Sequence, residues 1–152
     1  MQSKAENRFE PRRRARRRAL QALYQWQLTG LDVGEIIRQF HEEQDFSNVD
    51  TELFATLVRK VSKNQLVIDE KVEPFLDCPL VQLDVIEHVI LSMAAYELLY
   101  SIEVPHQVLI DEAINLAKQF GAEQGHSFIN GVLDKAAKQW RDPTSLSPLL
   151  PA

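Results

Sequence analysis

Cys78 is the only cysteine among 152 residues. It excludes an intrachain disulfide and any multi-cysteine zinc site, and it fits a reducing, cytoplasmic compartment. Glycine and proline are sparse, at 5 and 7 residues, which excludes collagenous and low-complexity chains. No apolar run approaches the roughly 18–20 residues of a membrane span. The N-terminus lacks the apolar segment of a signal peptide. There is no G-x-x-x-x-G-K-[ST], no G-x-G-x-x-G and no G-x-S-x-G, so nucleotide-binding and nucleophile signatures are missing. His41, His88, His106 and His126 show no ligand spacing, and neither a metal nor a cofactor is expected. The expectation is a chain with no catalytic residues.

What is present is an ordinary globular composition, 45% apolar and 26% charged, over a length suited to one domain. The net charge of −5 conceals an asymmetry. Residues 1–18 carry eight basic side chains against Glu6 and Glu10, a net of +6. The rest of the chain carries nine basic and twenty acidic ones, a net of −11. An acidic body with a cationic arm points to a polyanionic partner.

Nearly every segment has a helical period. Pro11 suits a first turn and predicts a helix from there to about Leu28, ended by Thr29-Gly30. Asp32 and Glu35 resemble a capping box ahead of Val33, Ile36, Ile37 and Phe40. Asp50 predicts an N-cap before the stripe Leu53, Phe54, Leu57, Val58 and Val61. A fourth helix, or a continuation of the third, carries Ile68, Val72, Phe75 and Leu76, and Pro79 closes it. A fifth is predicted from about Gln82 to Tyr100. Pro105 opens a sixth, with Gly121 placed for a glycine C-cap. A seventh runs from about Ser127 to Trp140. The tail DPTSLSPLLPA has no period and is expected to be loose. Short-looped amphipathic helices must pack on one another, giving an all-α fold of about seven helices.

Six arginines fall within seven residues: Arg12, Arg13, Arg14, Arg16, Arg17 and Arg18. On a wheel, Ala19, Ala22, Leu23 and Trp26 share a face with Arg12 and Arg16, while the other arginines flank it. Burying lone guanidinium groups is costly, so these turns are expected to project from the packed body. A solvated helix start is the bland alternative. Yet positive charge at a helix N-terminus opposes the macrodipole, and arginine favours bidentate phosphate contacts and stacking on bases. Phosphate binding is therefore the sharper reading.

The junction Phe120-Gly121-Ala122-Glu123-Gln124-Gly125-His126-Ser127-Phe128 is the second candidate. Phe128 lies at the edge of its helix's apolar stripe, as a core residue or as a platform for a nucleobase. Gln124 and Ser127 are placed to bond a splayed base, and Lys118 to reach a phosphate. Tyr24 lies off the core face of the first helix and is either a partner contact or a plain exposed tyrosine. Trp26 reads as structural. Glu97 is in line with Leu83, Ile90 and Met93; it is either a structural acceptor or a catalytic base. Asp111-Glu112 and similar pairs read as first-turn helix charges.

Three blocks, RRRARRRALQALYQWQLTG at 12–30, AAYELLY at 94–100 and VPHQVLIDEAINLAKQFGAEQGHSFINGVLDKAA at 104–137, resemble the NusB family of bacterial transcription antitermination factors. NusB-like domains also occur fused to RNA cytosine methyltransferases; no such domain follows here, so the stand-alone factor fits better. The resemblance implies two packed three-helix bundles. It implies binding to single-stranded boxA RNA of ribosomal RNA leader transcripts, together with a small-subunit ribosomal protein, NusE. The pair would help load an RNA polymerase elongation complex containing other Nus factors. The implied RNA contacts are the arginine-rich motif at Arg12, Arg13, Arg14 and Arg16, the aromatic Phe128 and the polar Gln124. Many relatives carry aspartate at that last position; glutamine removes a negative charge near RNA, in the direction of tighter binding. Arg17 and Arg18 exceed the usual pattern. The partner is implied to lie along the helix containing Glu87, with Tyr24 nearby. The expected organisation is a flexible basic extension at 1–11, one helical RNA-binding domain at 12–141 and a flexible Pro-rich tail at 142–152.

Competing readings are an enzyme using Glu97 and a protein-binding scaffold whose arginines meet acidic partners. A DNA-binding helix-turn-helix protein fits less well, because its basic residues belong on a recognition helix.

Overall fold

A computed structural model of the chain describes the backbone over residues 4–141 and the side chains over residues 9–141. The tail expected to be loose, 142–152, lies outside the described residues. Among them there are seven α-helices, two 3-10 turns and no strand. They fall into two compact units, Met1–Lys63 and Asn64–Ala152.

The first unit is a three-helix bundle of α1 (Lys4–Thr29), α2 (Val33–Glu43) and α3 (Thr51–Lys63), each touching the other two. Ala15, Ala19, Leu20, Ala22 and Leu23 of α1 meet Ile36, Ile37 and Phe40 of α2, and Phe54, Leu57, Val58 and Val61 of α3, all buried. The small alanines let α1 approach its neighbours closely. Phe54 has no exposed surface, with its ring 5.9 Å from Phe40 and 5.0 Å from Phe46. Both predicted caps form: Asp32 Oδ2 accepts from Glu35 N at 3.2 Å, and Asp50 Oδ1 from Leu53 N at 3.0 Å. Gly30, at φ 69°, ends α1 in the left-handed region that glycine enters without strain.

Pro11 does not open α1. The helix begins at Lys4 and runs through it. Proline forfeits its own backbone bond, but Ala5, Glu6 and Glu10 are helix-compatible neighbours, and the turn continues. Pro11 O accepts a bond from Asp50 N at 3.0 Å, pinning α1 to the start of α3.

The second unit holds α4 (Gln65–Val72), α5 (Val85–Tyr100), α6 (His106–Phe120) and α7 (Gly125–Trp140). Helix α5 is buried at every residue from Val89 to Leu99 and touches α4, α6 and α7. A helix apolar all round belongs at the centre of its unit, and the others surround it. Helix α4 restarts at Gln65 rather than continuing α3, and Phe75 lies in a 3-10 turn at Glu73–Phe75. There its ring meets Trp140 edge-on at 5.7 Å.

Several predicted boundaries move. Helix α5 starts at Val85, because Asp84 caps it by accepting from Ile86 N at 3.0 Å; Leu80–Gln82 is a separate 3-10 turn. Helix α7 starts at Gly125, not Ser127. Gly121 does end α6, but in extended conformation, φ −85° and ψ 177°. Its smallness is needed for a different reason: a β-carbon there would stand 2.8 Å from Ala117 O. Glu112 is not a solvated first-turn charge; it lies in the second turn of α6 and is buried.

Arg141, directly after α7, gathers four carbonyls. It donates from Nε to Leu98 O at 2.8 Å, from Nη1 to Val104 O at 2.8 Å, and from Nη2 to Ser101 O and Glu97 O at 3.1 and 3.3 Å. Carbonyls run short of helical partners at the end of α5; one planar guanidinium serves Leu98 O and Val104 O there and adds a second bond to Glu97 O and Ser101 O, which also accept from Ser101 N and Val104 N. Burial pushes the Arg141 pKa below its ordinary value, with Glu103 opposing.

Candidate nucleic-acid interface

The arginine-rich stretch occupies α1 where Ala15, Ala19 and Leu20 are already in the core. The turns therefore do not project from the packed body, as the cost of burying guanidinium groups had suggested. Arg16 is itself buried, at 6% exposure, and is not without a partner. A long aliphatic stem tolerates burial where the charged head is satisfied.

The remaining arginines line the surface of α1. Arg12 Nε lies 3.8 Å from Asp50 Oδ2. The Arg13 guanidinium stands over the Phe9 ring, 5.4 Å from its centroid. Arg14 Nε and Arg17 Nη2 converge on one oxygen, Glu10 Oε1, at 3.8 and 3.9 Å. Arg18 is a clamp: Nη2 donates to Asp45 O at 2.7 Å and the guanidinium lies over Phe46 at 5.3 Å. The Asp45 carboxyl is held below its ordinary range, first by hydrogen bonds from Ser47 and then by the charges of Arg18 and Arg14. Arg12, Arg13, Arg14 and Arg17 thus crowd positive charge around two turns of α1, exposed at Arg12 and half-buried at the other three.

The second candidate lies in the other unit, where α6 meets α7. Lys118 is exposed in the last turn of α6. Gln124, also exposed, precedes α7 in left-handed conformation, φ 73°, the only described residue other than glycine with positive φ. Its side chain makes no cap bond to α7. A non-glycine residue held there stores strain, a feature that clusters at functional positions. Ser127 is exposed and Phe128 is half-buried beside the fully buried Ile129. Phe128 thus sits at the edge of the core with part of its ring open.

Glu87 reaches this junction from α5. Its carboxylate lies where a β-carbon on Gly125 would stand only 2.9 Å from Oε1. Burial raises the Glu87 pKa above the ordinary carboxylate range, with the Asp84 charge adding. Tyr24, 37% exposed, lies on α1 of the first unit, apart in sequence and in unit from Glu87.

Glu97 is 3% exposed and engaged by a neighbour, the setting of a structural acceptor. The network around His88 escaped the sequence reading. His88 Nε2 is 2.7 Å from Asp69 Oδ1, and Gln65 Nε2 donates to Asp69 Oδ1 and Ser92 Oγ, both at 2.9 Å. These are the residue types of a charge relay without its geometry, because Ser92 Oγ donates to the His88 carbonyl at 2.8 Å, not to the ring. Among the described residues no group of three or more His, Cys, Asp or Glu is placed to hold a metal, and no helix is long and apolar enough to cross a membrane.

Known proteins are similar to this chain in sequence and in fold. The NusB family model matches residues 13–138. Transcription antitermination protein NusB of Xanthomonas axonopodis pv. citri is 48% identical over 130 residues, covering 86% of this chain and 82% of its own. The protein of the same name from Xanthomonas oryzae pv. oryzae is also 48% identical, with 83% of its length covered. Among solved structures, T. maritima NusB superposes with a TM-score of 0.76 at 34% identity, covering 85% of this chain and 92% of that one. A structure of antitermination factors NusB and NusE in complex with double-stranded RNA gives 0.74 at 28% identity, covering 83% and 95%. The family match spans both helical units and takes in all but the first of the clustered arginines, together with the α6–α7 junction: this chain belongs to the NusB family.

Proposed function

We propose that this chain is a transcription antitermination adaptor that binds single-stranded boxA-type RNA of ribosomal RNA leader transcripts together with the ribosomal protein NusE. On this reading it works by assembly on the RNA polymerase elongation complex, in the cytoplasm, and not by catalysis. The observation that carries it is the cationic stretch of α1, where Arg12 is exposed and Arg13, Arg14 and Arg17 are half-buried within two turns. Membership of a family named for antitermination supports the same reading.

The division of labour follows from chemistry. Arginines of α1 and Lys118 take phosphates, which carry no sequence information. Phe128 offers a ring edge on which an unpaired base stacks, and Gln124 and Ser127 offer hydrogen bonds to that base or its sugar. Tyr24 and Glu87 serve the protein partner. Residues 12–141 hold the working residues, and α1 leads into them from Lys4.

A gel-shift titration with a boxA-type oligonucleotide, with and without NusE, tests this. Binding that is sequence-selective and tightened by NusE is expected. Binding to NusE with no affinity for RNA would favour the protein scaffold instead.

A further inference from the structure

Glu10 faces Arg14 one helical turn on and Arg17 two turns on, and a single carboxylate oxygen lies within 3.9 Å of both guanidinium groups. Positions four and seven apart share a helix face, so this is built into the register of α1. The other acids near the cluster have separate duties. Asp50 caps α3 and bonds Pro11 O through its backbone N–H, and Asp45 accepts from Ser47 N at 2.8 Å. Glu10 makes no contact of that kind among the described residues: its interactions there are with the two arginines. Its side chain is 49% exposed, open to exchange with an incoming anion.

We propose that Glu10 is an internal competitor for phosphate: it holds Arg14 and Arg17 in the free protein and gives them up when nucleic acid binds. This rests on the RNA-binding reading above. A phosphate that takes either arginine competes with the Glu10 carboxylate for it, and the carboxylate then repels the strand. Exposed pairs are weak, so the lock lowers affinity without preventing binding. It also discriminates: an isolated anion meets two guanidinium groups whose charge Glu10 has already halved, whereas a strand engaging Arg12 and Arg13 at the same time displaces Glu10 by local concentration.

The test uses the full chain, a short single-stranded RNA and four variants. Glu10→Gln keeps the shape and removes the charge; it should tighten RNA binding about three- to tenfold at low salt, with the gain fading as salt rises. Glu43→Gln removes the same charge from the exposed end of α2 and should change affinity less than twofold. In an Arg14→Ala, Arg17→Ala background the Glu10→Gln gain should disappear. An RNA-binding wild type whose affinity is unchanged by Glu10→Gln, or raised equally by Glu43→Gln, would overturn this inference and leave the RNA-binding reading standing. No RNA binding by wild type or Glu10→Gln would overturn both.

Discussion

The Glu87 carboxylate lies against the backbone of Gly125, so close that a β-carbon on residue 125 would stand 2.9 Å from Oε1. It fills the space that a side chain at the start of α7 would need, beside the first turn of α5. The carboxyl's pKa is raised by burial and by Asp84, so the folded protein holds the Glu87 proton more tightly than the unfolded chain does. Stability from this group is therefore greatest below the unfolded pKa, about 4.3, and is lost as pH rises through the raised folded value. Glu87→Gln should raise the melting temperature at neutral pH, and the difference should shrink toward about pH 4. A constant difference across that range would mean that charge is not what Glu87 contributes.

Gln124 combines a left-handed backbone with an exposed side chain that makes no cap bond to α7. Gln124→Gly should hold or raise stability, by up to about 1 kcal/mol, because glycine adopts this conformation without strain. RNA affinity should fall with loss of the amide. Thermal melts and a binding titration on one preparation check both. A clear loss of stability would show that the side chain packs rather than waits for a ligand.

Phe128 is half-buried, between a core phenylalanine and a free platform. Phe128→Ala should weaken boxA-type RNA by roughly ten- to a hundredfold, the value of one base stacked on an aromatic ring. The salt dependence should stay the same, since no phosphate contact is lost. The folding cost should stay well below the about 3–5 kcal/mol of a fully buried phenylalanine. A cost in that upper range with unchanged affinity of the folded fraction would move the base-reading surface elsewhere.

Arg141 should matter for stability and not for recognition. Arg141→Ala removes four hydrogen bonds, with Glu97 O and Ser101 O keeping their bonds from Ser101 N and Val104 N, and should cost about 1–3 kcal/mol in denaturant unfolding. Arg141→Lys should recover only part, because one ammonium does not span the positions a planar guanidinium reaches. Full recovery by lysine would show that charge alone suffices.

The helical stripes and the caps at Asp32 and Asp50 were legible because periodicity and capping are local. The burial of Glu97 was legible for the same reason: it sits on its helix's apolar stripe. Arg16 shows where local reasoning stopped. The wheel put it on the apolar face, but the cost of burying a charge argued for projection, and the structure buries it. What satisfies a buried charge comes from neighbouring elements, which a wheel does not contain. The Glu87–Gly125 contact and the Arg141 clamp join residues far apart in sequence, so spacing gave no signal. Helix α1 began earlier than Pro11 suggested because a proline signal marks a preference, not a boundary. At the candidate site, residue types and the junction were readable; the left-handed Gln124 was not, since glutamine carries no turn signature.

The central claim is that α1 binds nucleic acid through phosphates, and the salt dependence of affinity tests it most directly. If Arg12, Arg13, Arg14 and Arg17 meet about 3–4 phosphates, log K against log salt should fall with a slope of roughly −2 to −3 on a single strand. Replacing Arg12, Arg13 and Arg14 with alanine should flatten that slope to about −1 or less while the protein stays folded; Arg16 is left intact because it is buried. A wild-type affinity independent of salt, or an unchanged slope in the folded triple variant, would contradict the account.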